Sequence, residues 1–228
     1  MRIAAESGEK FLAMLDTAAY VRESLRRLSA TQADVFGANG HHFQLNPVLD
    51  NMEILAFEQR HGIHLPADYR HFLANVGNGG AGPYYGVFPL GKMDGIHELL
   101  NPWSEGDGFI GALSEPFPLT HGWNDLSGKP ADELVDVDED LYEKQFDEFE
   151  GRYFNASLVS GAFPICHEGC ALRIWLVVTG PEAGRLWRDT RAEYTGINPL
   201  YLKDESRATF SEWYREWLND ALRIAALT

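Results

Sequence analysis

Leu65-Pro66-Ala67-Asp68-Tyr69-Arg70-His71-Phe72-Leu73-Ala74-Asn75-Val76-Gly77-Asn78-Gly79-Gly80-Ala81-Gly82-Pro83-Tyr84-Tyr85-Gly86-Val87-Phe88-Pro89-Leu90 is the stretch on which the fold turns. Pro66 opens a helix where a missing N–H costs nothing, and Asp68 in the first turn complements the helix dipole. Tyr69, Phe72, Leu73 and Val76 recur at i, i+3, i+4 and i+7, which makes one buried stripe. Gly77 is placed to end the helix as a left-handed cap. Asn78 to Pro83 is a permissive glycine-rich reversal, and Tyr84, Tyr85, Val87 and Phe88 read as an aromatic strand closed by Pro89 and Gly91.

Upstream, Asn46 before Pro47 predicts a helix start, with the helix running to Arg60 or His61 and ending at Gly62. Phe11, Leu12, Leu15, Ala18, Ala19, Arg22, Leu25 and Leu28 predict an amphipathic helix ending near Ser29. Gly37-Ala38-Asn39-Gly40 marks a break. Residues 1–40 are therefore an expected N-terminal helical extension, and 41–228 the main domain with an acidic insertion around 91–160.

Downstream, Phe117-Pro118-Leu119-Thr120 is a short edge-strand candidate. Ala162 to Cys166, Ala171 to Thr179 and Arg185 to Thr190 read as three strands, separated by His167-Glu168-Gly169 and by Gly180 to Gly184. Thr209 with Glu212 predicts a capping box, followed by the stripe Phe210, Trp213, Tyr214, Trp217, Leu218 and Ala221. Helices, strand, insertion, meander and final helix in that order predict an α+β fold. Its sheet is antiparallel or mixed, with helices packed mainly on one side.

The 228 residues are 45% hydrophobic and 12% aromatic, enough for a large core. A net charge of −15 argues against nucleic acid and against an anionic membrane surface, and suits either a basic protein partner or plain colloidal solubility. Cys166 and Cys170 are too few and too close for a secreted disulfide framework, and no apolar leader or span occurs, which points to the cytoplasm.

The motifs Phe57-Glu58, Gly62-Ile63, Leu65 to Arg70, Phe72-Leu73, Gly77 to Gly80 and Tyr85 to Leu90 together resemble the SUKH superfamily, in its SMI/KNR branch. Cys166 to Cys170, the strand through Trp175, and Gly184 to Asp189 resemble its later hairpins, with Glu168-Gly169 where the family often has Asp-Gly. The resemblance implies an α+β fold without an established active site. It implies a protein-binding role, either immunity to a polymorphic toxin or regulation through interactions with endogenous proteins.

The chemistry-bearing residues fit that picture. Cys166, His167 and Cys170 offer zinc donors, with His61, His64, His121, His41 or His42 as a fourth, but a structural zinc site shows two recognisable ligand pairs and only one is present. The Cys166–Cys170 turn, as metal site or hydrolase centre, is thus the remote alternative to a hairpin with a buried cysteine on each side. Asp136 to Asp140 begins like a calcium loop, then places Leu141 where glycine is needed and Asp147 where glutamate is expected. The Asn78 to Gly82 loop follows a helix and leads into a strand, the reverse of a phosphate cradle. Neither Gly-x-Ser-x-Gly nor His-Glu-x-x-His occurs. No motif calls for a cofactor.

One segment stands out: 132–150 holds ten acidic residues and a single cation, Lys144, a local charge of −9. Tyr142, Phe146, Phe149 and Tyr153 fall on one helical stripe there, so the expectation is an acidic helix docked by its aromatics and ending at Gly151. That acidic face is either simply solvated or a docking surface for a basic protein; on the second reading Asp136, Asp138, Asp140, Asp147 and Glu148 are the candidate partner-binding residues, joined by Asn78, Tyr84 and Tyr85 of the loop.

Overall fold

The computed structural model describes residues 18–31, 33–92 and 110–227. Phe11, Leu12 and Leu15 of the first expected helix lie outside them, as does part of the expected insertion. Helix α1 occupies 18–31, and Ala18, Val21, Leu25 and Leu28 are buried in the same hydrophobic core as the rest of the protein. A short α2 (Ala38–His41) leads to α3 (Asn51–His61) and α4 (Ala67–Asn75). After them come α5 (Glu139–Tyr153), the strands β1 (Ala162–Gly169), β2 (Leu172–Val177), β3 (Leu186–Asp189) and β4 (Ile197–Pro199), and α6 (Phe210–Ile224).

The four strands form an antiparallel meander in sequence order. Both edge strands carry a proline, Pro164 in β1 and Pro199 in β4, where a missing ladder donor is tolerated. Phe163 meets the rings of Phe57 in α3 and Tyr69 in α4 at 6.1 and 6.0 Å, which sets the helix-covered face. Leu176 and Leu186 lie opposite it in register and share that face. Trp175 and Trp187 pair on the other face, where Phe117 packs edge-on against Trp187 at 4.9 Å. β2 is buried almost throughout; Phe117 covers Trp187 on the second face, and Ile110 and Leu113 of the same segment are also in the core.

The helix of the opening stretch forms as its stripe dictates, with Tyr69, Phe72, Leu73 and Val76 all buried. Several local expectations are corrected. The preceding helix starts at Asn51 and not at Pro47, because Asp50 and Glu53 make a reciprocal capping box while Asn46 is bonded to Gly79 and Asn78 instead. Gly77 is not left-handed; Val76 is the cap, and a Cβ on Gly77 would lie 3.0 Å from the Asn46 carbonyl, so close approach is what requires glycine. Tyr84 to Phe88 is no strand but a tight turn, with Gly86 N–H bonded to Pro83 O, followed by isolated bridges from Val87 to Gly80 and to Cys166. Phe117 to Thr120 likewise contributes one bond, Phe117 N–H to Thr179 O, and no strand.

The hairpin between β1 and β2 turns at Cys170-Ala171, both left-handed at φ 48° and 62°, so His167, Glu168 and Gly169 belong to β1. Two positive φ values in succession define a type I′ turn, which matches the twist of the flanking strands. At α6, Thr209 does not cap the backbone; its hydroxyl donates to the Glu212 carboxylate. β4 was not foreseen, being only three residues long.

Candidate functional site

Asp138 starts α5 by accepting the Leu141 N–H at 3.0 Å, and Glu139 and Asp140 follow at the positive end of the helix dipole. The aromatic stripe then forms a continuous ladder: Tyr142 to Phe146 at 5.6 Å, Phe146 to Phe149 at 6.3 Å, Phe149 to Tyr153 at 5.1 Å. Phe149 and Tyr153 are each only 1% exposed. Tyr153 packs on Trp123 at 5.3 Å and donates its hydroxyl to Asn124 Oδ1 at 2.6 Å. Burial of Tyr153 explains why the helix continues through Gly151, where termination was expected; a mid-helix glycine costs about 1 kcal/mol, less than a lost buried aromatic.

A buried ion pair fixes the far end. Arg191 binds Asp189 of β3 at 2.6 Å and donates a further hydrogen bond to the Tyr153 carbonyl at 3.2 Å. That carbonyl lies at the C-terminus of α5, where backbone acceptors lack helical partners. Tyr194 adds a bond from its hydroxyl to Glu150 at 3.2 Å. None of these clamps was anticipated. The available signal was the string Arg188-Asp189-Thr190-Arg191 at the end of a strand, where inward charges must be paired to be buried.

The outward face is the acidic one. Asp136, Asp138, Asp140, Asp147 and Glu148 are all exposed, and none has an ion-pair partner among the described residues. Asp136 stands in the turn before the helix. Asp140 and Asp147, two turns apart, share a side of it. Val137, 82% exposed, and Leu141 stand among these carboxylates.

Asn78, Tyr84 and Tyr85 occupy a different place. Asn78 is a structural tie: its Oδ1 accepts from Leu90 N–H at 2.8 Å and its carbonyl from the Asn46 amide at 3.0 Å. Tyr84 is half-buried with φ 52°. Burial, and then a hydrogen bond to Glu168, raises its phenol pKa. Glu168 is in turn held by Arg188 at 2.6 Å. Tyr85 is exposed, with its ring 5.4 Å from His167 and 5.5 Å from Phe36. Backbone contact with Gly37 locks the turn: a Cβ there would fall 1.7 Å from the Tyr84 carbonyl. The loop bridges to β1 through Val87, whereas α5 packs on Trp123, which bridges to β4. The two groups of candidate residues therefore lie at opposite edges of the sheet.

The Cys166–Cys170 turn does not gather its donors. Cys166 is buried, its Sγ donating to Pro83 O at 3.3 Å, and burial pushes the thiol pKa well up. Cys170 is exposed on the turn, contrary to the expected pair of buried cysteines. Among the described residues no group of three or more His, Cys, Asp or Glu side chains is placed to hold a metal ion, and no helix is long and apolar enough to cross a membrane.

The fold thus defines an α+β protein built on a helix-covered antiparallel meander, with an anchored acidic helix at one edge and an aromatic turn at the other. Comparison with protein families narrows the class. A family model described as SMI1 / KNR4 family (SUKH-1) matches residues 49–216, and the chain belongs to that family. Neither curated proteins nor solved structures gave a match.

Proposed function

We propose that this chain is a non-catalytic, cytoplasmic immunity-type protein that neutralises a basic toxin domain by binding it. Membership of the SMI1 / KNR4 family is consistent with that role. The observation that carries the reading is α5: its carboxylates face solvent while its aromatic stripe and the Arg191 clamp hold it rigidly on the body. A field of −9 over residues 132–150 attracts a cationic protein and speeds its encounter. Because the helix is already ordered, little conformational entropy is lost on docking. Asp136, Asp140, Asp147 and Glu148 supply the contact carboxylates, and Asp138 both contributes charge and caps the helix.

Co-expression with the product of the neighbouring gene tests the proposal. A one-to-one complex that suppresses the toxicity of that product supports it. Capture of endogenous housekeeping proteins instead, with no protection against the neighbouring product, would replace it with a regulatory or scaffold role in the same family.

A further inference from the structure

A second surface is built where the turn at 35–37, the Pro83–Tyr85 loop, residues 200–201 and one side of α6 meet. It is a groove of about 290 Å³ whose walls include Phe36, Tyr84, Tyr201 and Trp217, with the carboxylates of Glu216 and Asp220 alongside. Phe36 is 63% exposed and Tyr201 56%. Single exposed rings are ordinary on a protein surface, but two exposed rings converging with the half-buried Tyr84 and Trp217 on one groove beside two carboxylates form a distinct chemical environment. The volume falls just below the roughly 300–1,000 Å³ of small-molecule pockets, which suits a single inserted side chain.

The charges are set for a cation. Among the described residues no Lys, Arg or His side chain lines the groove. Lys203 and Arg223, beside it, are already paired with Asp220, which leaves Glu216 as the groove carboxylate without a cationic partner among the described residues. The Lys203 backbone N–H holds Glu216 Oε1 at 3.0 Å, which fixes that carboxylate without neutralising it. The protein also uses the same combination of ring and carboxylate internally. The guanidinium of Arg207 lies 5.7 Å from the Tyr201 ring and 5.3 Å from Trp187, and is paired with Glu182.

We infer that this groove receives an arginine side chain presented by a partner protein, its guanidinium stacked among the exposed rings and paired with Glu216. Arginine fits better than lysine because its planar, weakly hydrated head stacks on aromatic faces and bonds a carboxylate through two N–H groups. Glu216 supplies the complementary charge within the groove itself. The inference stands on the groove alone and does not require α5 to contact the same partner.

The test is an NMR titration of the full chain with acetyl-Gly-Arg-Gly amide, read at the indole N–H signals of Trp213 and Trp217. The peptide with citrulline in place of arginine serves as the uncharged control. The arginine peptide is expected to shift the Trp217 signal with a dissociation constant of roughly millimolar order. The citrulline peptide, and the arginine peptide with Glu216→Gln or Phe36→Ala, should each bind about fivefold more weakly or worse. Charge reversal on α5 should leave peptide binding unchanged, so this inference and the α5 reading fail separately. No shift, or equal binding of the citrulline peptide, overturns the inference. A concentration-dependent dimer in sedimentation that Phe36→Ala dissolves would assign the groove to a second copy and overturn it too.

Discussion

Replacing Arg191 by Met tests how α5 is held. Arg191 is 5% exposed and Asp189 8%, and the guanidinium makes three contacts to the Asp189 carboxylate, at 2.9, 3.1 and 2.6 Å. Methionine fills similar space but leaves that carboxylate buried without its counter-charge. Removing one member of a buried pair costs about 3–5 kcal/mol. For a chain of this length each kcal/mol moves Tm by about 2–4 °C, so a fall of roughly 6–20 °C is expected. The double variant Asp189→Leu/Arg191→Met removes both charges and should recover at least half of the loss, since a buried pair adds little net stability over apolar residues. Urea unfolding of the wild type, both single variants and the double variant yields the coupling energy. Amide exchange should show the last turn of α5 opening faster in Arg191→Met, because the Tyr153 carbonyl loses its donor. A loss under 1 kcal/mol in Arg191→Met, or a double variant as unstable as the sum of the singles, would refute the reasoning.

Gly37→Ala should cost more than about 2 kcal/mol, because the added methyl collides with the Tyr84 carbonyl at a backbone φ of +77°, and urea unfolding measures it. His41 is buried, which lowers its pKa to about 4, against about 6.5 unfolded. The unfolded chain therefore binds the proton first, and stability should fall as pH drops from about 6.5 to about 4, by about 2 kcal/mol after discounting for partial access of water. His41→Gln should flatten that part of a urea-midpoint profile, and an unchanged slope would contradict the assignment. A thiol-alkylating reagent should label Cys170 alone in the native protein and Cys166 only on unfolding; labelling of both in the folded state contradicts the buried position of Cys166.

Periodicity made the helices legible. The stripes of α4, α5 and α6 rest on spacings that only a 3.6-residue repeat produces, and the Tyr142 to Tyr153 ladder docks as that spacing requires. The meander was legible from β-branched and aromatic runs between turn residues, and the prolines of β1 and β4 mark edge strands. Helix boundaries were less so. Asn46-Pro47 and Asp50 to Glu53 are both good start signals, and the choice between them is made by Asn46 bonding across to Gly79 and Asn78, a long-range contact absent from local pattern. The aromatic turn misled for the same kind of reason: Tyr84 to Phe88 has strand composition, but Gly37 and β1 bend it. For the site, the acidic face could be read from charge and period. The bond from Arg191 to the Tyr153 carbonyl and the groove at Phe36, Tyr201 and Trp217 could not, because they join residues far apart in the chain.

The claim that α5 docks a basic partner is tested most directly by the association rate constant between this protein and the product of its neighbouring gene. It should be measured at low and at physiological salt, for the wild type and for Asp136→Lys/Asp140→Lys/Asp147→Lys/Glu148→Lys, which spares the Asp138 cap. Association of the wild type should be fast at low salt and fall steeply as salt rises, while the variant should associate at least tenfold more slowly at low salt with little salt dependence. Equal rates for the two proteins at low salt would contradict the account.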